Sequence, residues 1–342
     1  MRGDDERRHQ HRDNLKQYKG EEFENVLINV YLAMNFALEG KFDDALIECR
    51  RVNRKLYLMI SDGRRKYELS AFAAYFSGIL FEVRGEWNDA YISYKQTRDI
   101  LPGFENVGED LVRIAGKLRM TDEVKRWRKE YRLLETSGDR GVTGSSAKLL
   151  KRPLARSSAP IGSPKQGQII VVFQNGRSPR KVPSPSFYSI PEFRREPNPV
   201  TSAKVSISAL GSERAPSMMK QTDVLQNIES DAIKNLEQKW AGILAKKLMG
   251  IAAKETAGHV LNSKTGNSGV GDLLKLALYV SDQADLRSWS LLPKDLQIAR
   301  FFVDPGTYTV NISPIERPDR AQEKVLQVSP GKTVFTTVRF VP

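Results

Sequence analysis

One short element occurs twice in the first hundred residues: Gly40-Lys41-Phe42-Asp43-Asp44-Ala45 and Gly85-Glu86-Trp87-Asn88-Asp89-Ala90. Glycine, aromatic ring and alanine stand at identical spacing in both. That combination suits the corner between two antiparallel helices. Glycine lets the first helix end in a left-handed residue at no steric cost. The ring of Phe42 or Trp87 fills the angle of the corner. Ala45 or Ala90 lets the backbones approach closely. These six residues are therefore expected to be structural, and residues 21–137 are expected to form helical hairpins.

The pattern resembles the tetratricopeptide repeat. Leu32, Ala33 and Phe36 precede the first corner; Gly78 and Phe81 precede the second, with Tyr94 and Pro102 after it. Thr121-Asp122-Glu123-Val124 forms a weaker third copy, and Val124 follows Ala90 by about the thirty-four-residue family period. Gly40 and Gly85 are forty-five residues apart, so additional helix is expected near 56–66. Such hairpins need neighbours to bury their apolar faces. The inner face would carry Val30, Met34, Phe72, Tyr75 and Ile79. Two readings follow: these five grip a partner helix or extended peptide, or the rest of the chain covers them.

Beyond this region the composition changes. Residues 1–20 are highly charged and are expected to form a disordered start with no fold of its own. Residues 138–166 are rich in Ser, Gly, Pro and basic side chains, which reads as a flexible basic linker. Residues 167–342 are expected to form a mixed domain. Gly167–Gly176 is a β-branched run closed by Asn-Gly, a strand and a turn. Residues 177–199 hold many prolines and read as extended loop. In 202–210, Val205, Ile207 and Ala209 alternate with polar residues, as in a half-buried strand. A long helix is expected over 222–262, with Thr222 or Asp223 as its N-cap, and a second over 270–281. Four strands over 298–341 close the chain. The fold class is α+β: tetratricopeptide-like hairpins, a linker, and a β-rich domain with one long helix.

The chain has 342 residues, with 54 basic against 41 acidic side chains and a net charge of +13. The excess favours acidic partners, and the linker could contact an anionic polymer or lipid. It lacks interleaved aromatics and any nucleic-acid-binding signature, so no specific nucleic acid is expected. No apolar run reaches about eighteen residues, so no transmembrane segment is expected. One cysteine, Cys49, and three histidines, His9, His11 and His259, offer no metal cluster. Cys49 falls at a helix position normally buried, so it reads as a core thiol. No phosphate loop or nucleophile elbow occurs. No catalytic residue, metal or cofactor is expected.

Asp285-Leu286-Arg287-Ser288-Trp289-Ser290-Leu291-Leu292-Pro293 is distinctive, as are Ile298-Ala299-Arg300 and Pro305-Gly306-Thr307-Tyr308. With Gly20–Leu27 (Gly-Glu-Glu-Phe-Glu-Asn-Val-Leu) and Glu48-Cys49-Arg50-Arg51, these segments resemble an uncharacterised family of bacterial envelope lipoproteins. The resemblance runs from about residue 18 to the end. It implies export and an amino-terminal lipid anchor on an upstream cysteine, hence a periplasmic, outer-membrane-associated protein. The first residues as they stand have no apolar core of a signal peptide, and read literally they suit the cytoplasm. Asp285, Arg287 and Trp289 are expected either to anchor a partner or to staple the fold. The functional expectation is a non-catalytic scaffold or adaptor that binds envelope proteins through its helical repeats. The alternatives are an enzyme with an unrecognised site acting on cell-wall material, or a cytoplasmic polyanion-binding protein.

Overall fold

The computed structural model describes residues 18–61, 70–131, 166–185, 190–211, 217–243, 245 and 284–342. The expected linker over 138–166 except for Gln166, the far part of the long helix expected over 222–262 (244 and 246–262), the second helix over 270–281 and all three histidines lie outside them. The fold is α+β, and among the described residues six helices precede ten strands, with further helix at 228–243 between the sixth and seventh strands: α1 (Glu22–Leu38), α2 (Phe42–Ser61), α3 (Ala71–Val83), α4 (Trp87–Ile100), α5 (Asn106–Lys117) and α6 (Thr121–Glu130), then β1 (Gly167–Asn175) to β10 (Thr333–Phe340). By contacts the chain divides into two compact units, each assembled from separated segments. One comprises Met1–Asn25, Arg177–Pro197 and Ile228–Leu292; the other comprises Val26–Gly176, Asn198–Asn227 and Pro293–Pro342.

In the larger unit the helices form three hairpins with the same corner. Lys41 N–H bonds Phe36 C=O, Glu86 N–H bonds Phe81 C=O, and Met120 N–H bonds Ala115 C=O. These are the long bonds of a Schellman motif, which needs a left-handed residue at each corner. Gly40 and Gly85 supply it at φ 74° and 76°, and Arg119 supplies it at φ 58°. Ala45 and Ala90 are fully buried beneath the first two corners. Val124 stands where those alanines do, so the third copy is a true corner without its glycine. The long interval between the first two is partly absorbed by α2, which has 20 residues against 14 in α4.

Two four-stranded sheets complete this unit. The first has the order β10-β1-β7-β6, with β6 (Asp223–Asn227) and β7 (Asp295–Val303); β1 and β10 run parallel. The second has the order β5-β4-β8-β9, with β4 (Ala203–Ala209), β5 (Met218–Gln221), β8 (Gly306–Pro314) and β9 (Gln322–Val328). Their facing sides share one core that includes Val171, Phe173, Val205, Ile207, Phe301 and Val310. The other side of the first sheet meets the helices. Phe335 of β10 touches Phe42 at 5.9 Å and Phe76 at 5.4 Å between ring centroids. Covered on both faces, β1 and β7 are buried almost throughout. The second sheet is open on one side, so β4 and β8 alternate.

In the smaller unit, β2 (Arg180–Pro183) and β3 (Pro191–Arg194) pair antiparallel, and residues 228–243 are helical. Two expectations need correction. Residues 177–199, read as loop, contain this two-stranded sheet, with Pro183 and Pro191 opposite each other at its end. Proline is tolerated where a strand has a free edge. The helix expected from 222 begins at 228, because 223–227 is strand β6. Thr222 does not cap a helix. Its hydroxyl accepts the Ala203 N–H at 2.9 Å and donates to Gln297 at 2.5 Å, so it turns the chain from one sheet to the other.

Candidate functional site

A dense polar cluster lies in the larger unit, between the helices and the first sheet. Arg300 sits in β7 on the helix-facing side and is about 5% exposed. Its Nη2 donates to Glu82 Oε2 at 2.7 Å, and its Nη1 donates to Asp110 Oδ1 and to the Tyr94 hydroxyl at 2.9 Å each. Nε and Nη2 donate to Gln168 of β1 at 3.1 and 2.7 Å. A guanidinium carries five N–H groups, and here five bonds leave it. Arg113 of α5 repeats the pairing, donating to Glu82 Oε2 at 2.9 Å and Asp110 Oδ1 at 2.5 Å. Tyr75 donates to Asp110 at 2.6 Å and Tyr94 to Glu82 at 2.8 Å. The Phe302 ring lies against both guanidiniums, 4.8 Å from Arg113 and 4.7 Å from Arg300.

Two cations and two anions neutralise each other here, and their titration follows. Burial pushes the Glu82 carboxyl upward, but Arg113 and Arg300 outweigh it and hold the group at about 2. Burial works against the charge on Arg300, and Asp110 and Glu82 overcome that effect and raise it. Burial, reinforced for Tyr75 by Asp110, raises both tyrosines well above their usual range. Glu82, Arg113 and Arg300 therefore stay ionised through the neutral range. The adjoining cavity is about 20 Å³ and is bordered by Tyr75, Phe104, Asp110, Lys220 and Arg300. That is room for about one water molecule.

The five apolar residues of the expected inner face are buried in the larger unit, and Tyr75 among them bonds Asp110 of the cluster. Val30, Met34, Phe72, Tyr75 and Ile79 are all at most 3% exposed. Phe72 stacks on Phe76, and Phe76 meets Phe335 of the sheet. Of the two readings of these five, the partner groove is corrected and the covered one holds: the side chains are core, and a partner could reach them only by displacing the chain itself. Cys49 is core as expected, and burial raises its thiol to about 12.

The smaller unit joins the distinctive segments. Glu24 Oε1 accepts the Trp289 N–H at 2.7 Å, while Oε2 accepts the Glu21 N–H at 2.8 Å and the Tyr18 hydroxyl. Glu21 in turn takes the ammonium groups of Lys181 and Lys239. Burial would raise its carboxyl, and the two lysines more than offset this and lower it. Arg287 forks onto Asp285 with bonds of 2.9 and 2.8 Å and lies over the Tyr18 ring at 5.3 Å. That fork lowers the Asp285 carboxyl. Asp285 and Arg287 are thus paired with each other, and the Trp289 backbone is tied to α1, while its ring is half-buried. These three belong to the smaller unit and the five apolar core residues to the larger.

Sequence reasoning missed Glu82, Asp110 and Arg113, and gave Arg300 no role. The available signal was a lone acid in the apolar helix Ala71–Val83 and a lone arginine in the apolar strand of β7. A single charge in an otherwise buried element needs a partner.

Fold and site define a class: a β-sandwich backed by helical hairpins and locked to them by a buried ion cluster, with a second unit that ties an early helix to a late loop. Among the described residues no group of histidine, cysteine and acidic side chains is placed to hold a metal. No described helix is long and apolar enough to cross a membrane. Compared with known proteins, the chain matches no family model and no curated sequence.

Proposed function

We propose that the protein is a non-catalytic scaffold or adaptor of the bacterial cell envelope, and that it holds a partner on the outer face of its helical hairpins. The observation that carries the reading is one face of α2. Ile47, Arg50, Arg51, Arg54 and Tyr57 follow at i, i+3, i+4, i+7 and i+10, so they line one side of the helix. All five are exposed, Ile47 by 44% and Tyr57 by 69%. Apolar groups stand at both ends of the row and three cations between them. Ile28 and Leu32 of α1 are exposed one turn apart as well. A face of this composition fits an amphipathic helix with acidic residues at its centre and apolar residues at its ends. The closed ion cluster supports the same reading, since its carboxylates and the Arg300 guanidinium are engaged in bonds within the fold. The envelope location rests on the resemblance carried by Gly20–Leu27 and Asp285–Pro293.

The test is affinity capture of the tagged full chain from its native host after mild cross-linking. Ile47→Asp and Tyr57→Asp are compared with the parent, and the native protein is located by cell fractionation. The expected result is an envelope-fraction partner whose recovery falls roughly tenfold or more in both variants, with melting unchanged. Full recovery with both variants, or a protein confined to the soluble cytoplasmic fraction, contradicts the reading.

A further inference from the structure

The second sheet of the larger unit ends in β9 (Gln322–Val328), which among the described residues pairs with β8 and has no strand on its other side. An uncovered seven-residue edge offers a row of backbone donors and acceptors to another chain. Natural edges are guarded by free charges, by proline or by bulges. Here β9 contains no proline, and its pairing with β8 runs without a register shift. Its one lysine is committed: the Lys324 ammonium donates to the Thr337 carbonyl of β10 at 2.7 Å. That bond also fixes the strand against β10, so little order has to be gained on binding.

The pattern of β9 is self-complementary. Opposite Asn311, Thr309 and Thr307 of β8 stand Glu323, Val325 and Gln327, on the open side of the sheet. Val325 is 58% exposed. Two copies of β9 laid antiparallel about Val325 place Glu323 across from Gln327, Lys324 across from Leu326, and Val325 across from itself. No like charges face each other, and the one exposed apolar side chain of the row meets its own copy. We infer that β9 is the contact of a two-fold symmetric dimer, in which two four-stranded sheets join into one of eight. This is an isologous interface, and it does not depend on the α2 face.

Cysteine placement tests both the contact and its register. Cys49, the chain's one native thiol, is buried, so an added cysteine on β9 is the reactive one. Directly opposed residues in an antiparallel pair have Cα atoms about 4.5–5.5 Å apart, within disulfide reach. Residues 323 of the two copies would be about 13 Å apart, out of reach. With the full chain at tens of micromolar under mild oxidation, Val325→Cys should give a disulfide-linked dimer. Glu323→Cys and Gln327→Cys should each fail alone and cross-link when mixed. By light scattering the parent should approach twice its mass as concentration rises, while Val325→Lys, which sets two cations face to face, should stay monomeric with unchanged melting. A parent that stays at 38.6 kDa throughout, or cross-linking of Glu323→Cys alone as efficient as that of Val325→Cys, overturns the inference. Failure of a Val325→Cys monomer to react with a thiol reagent would mean that this chain covers its own edge, and overturns it as well.

Discussion

The guanidinium of Arg300 meets the carboxylate of Glu82 at 2.7 Å across 218 residues of chain. Both groups are buried, and with Asp110 and Arg113 they form a neutral square between two helices, α3 and α5, and a strand. Breaking such a pair leaves a charge in a medium that solvates it poorly, a larger loss than the pair's own net contribution. Arg300→Met should therefore destabilise the protein by about 3–5 kcal/mol. Denaturant unfolding checks this; a loss below about 1 kcal/mol would show that the square relaxes around Arg113 alone.

Glu82 makes the same cluster sensitive to acid. Its carboxyl lies at about 2 in the folded chain against an ordinary 4.5. A lowered folded value means that the stabilisation is complete above about pH 4.5 and is lost as the pH falls toward 2. The difference corresponds to about 3 kcal/mol. Unfolding free energies measured from pH 6 down to 2 should show this slope, and Glu82→Gln should flatten it within that window while lowering stability at pH 6.

Gly78 sets two effects against each other. Alanine in mid-helix is favoured over glycine by about 1 kcal/mol. A methyl group at Gly78 would meet Tyr94 Cε1 at 2.5 Å, and that ring is held by bonds to Glu82 and Arg300. The collision should win, and Gly78→Ala should cost about 1–3 kcal/mol. A melting temperature that rises would show that Tyr94 can move.

Arg119 occupies the left-handed corner at φ 58° that glycine holds in the other two hairpins. The strain of a side chain there, about 1 kcal/mol or more, exceeds the entropy that glycine adds to the unfolded chain. Arg119→Gly should stabilise by about 0.5–1 kcal/mol, read as a raised midpoint in urea.

Elements whose residue pattern reports their surroundings were legible. The Gly–aromatic–Ala corners mark where helices must turn. The unbroken run of β1 and the alternation of β4 record two covered faces and one. The start of β6 was not legible, because Thr222-Asp223 ahead of Val224 and Leu225 is also how a helix begins. Which use the threonine hydroxyl serves is decided by Ala203 and Gln297, far away in sequence. The buried cluster was hidden for the same reason. Glu82 and Arg300 each look anomalous alone, and only the fold brings them together. The apolar inner face was visible, but not that the fold buries it: Phe72 stacks on Phe76, and Phe76 meets Phe335 of the last strand, far away in sequence.

The most direct test of the scaffold reading places a photo-reactive amino acid at position 57 of α2, and separately at Met219, which is 56% exposed on the second sheet. Each protein is then irradiated in its native host. The account predicts one discrete envelope-protein adduct at position 57 that is absent at 219 and is abolished by Ile47→Asp. No adduct at 57, or the same adducts at both positions, would contradict it.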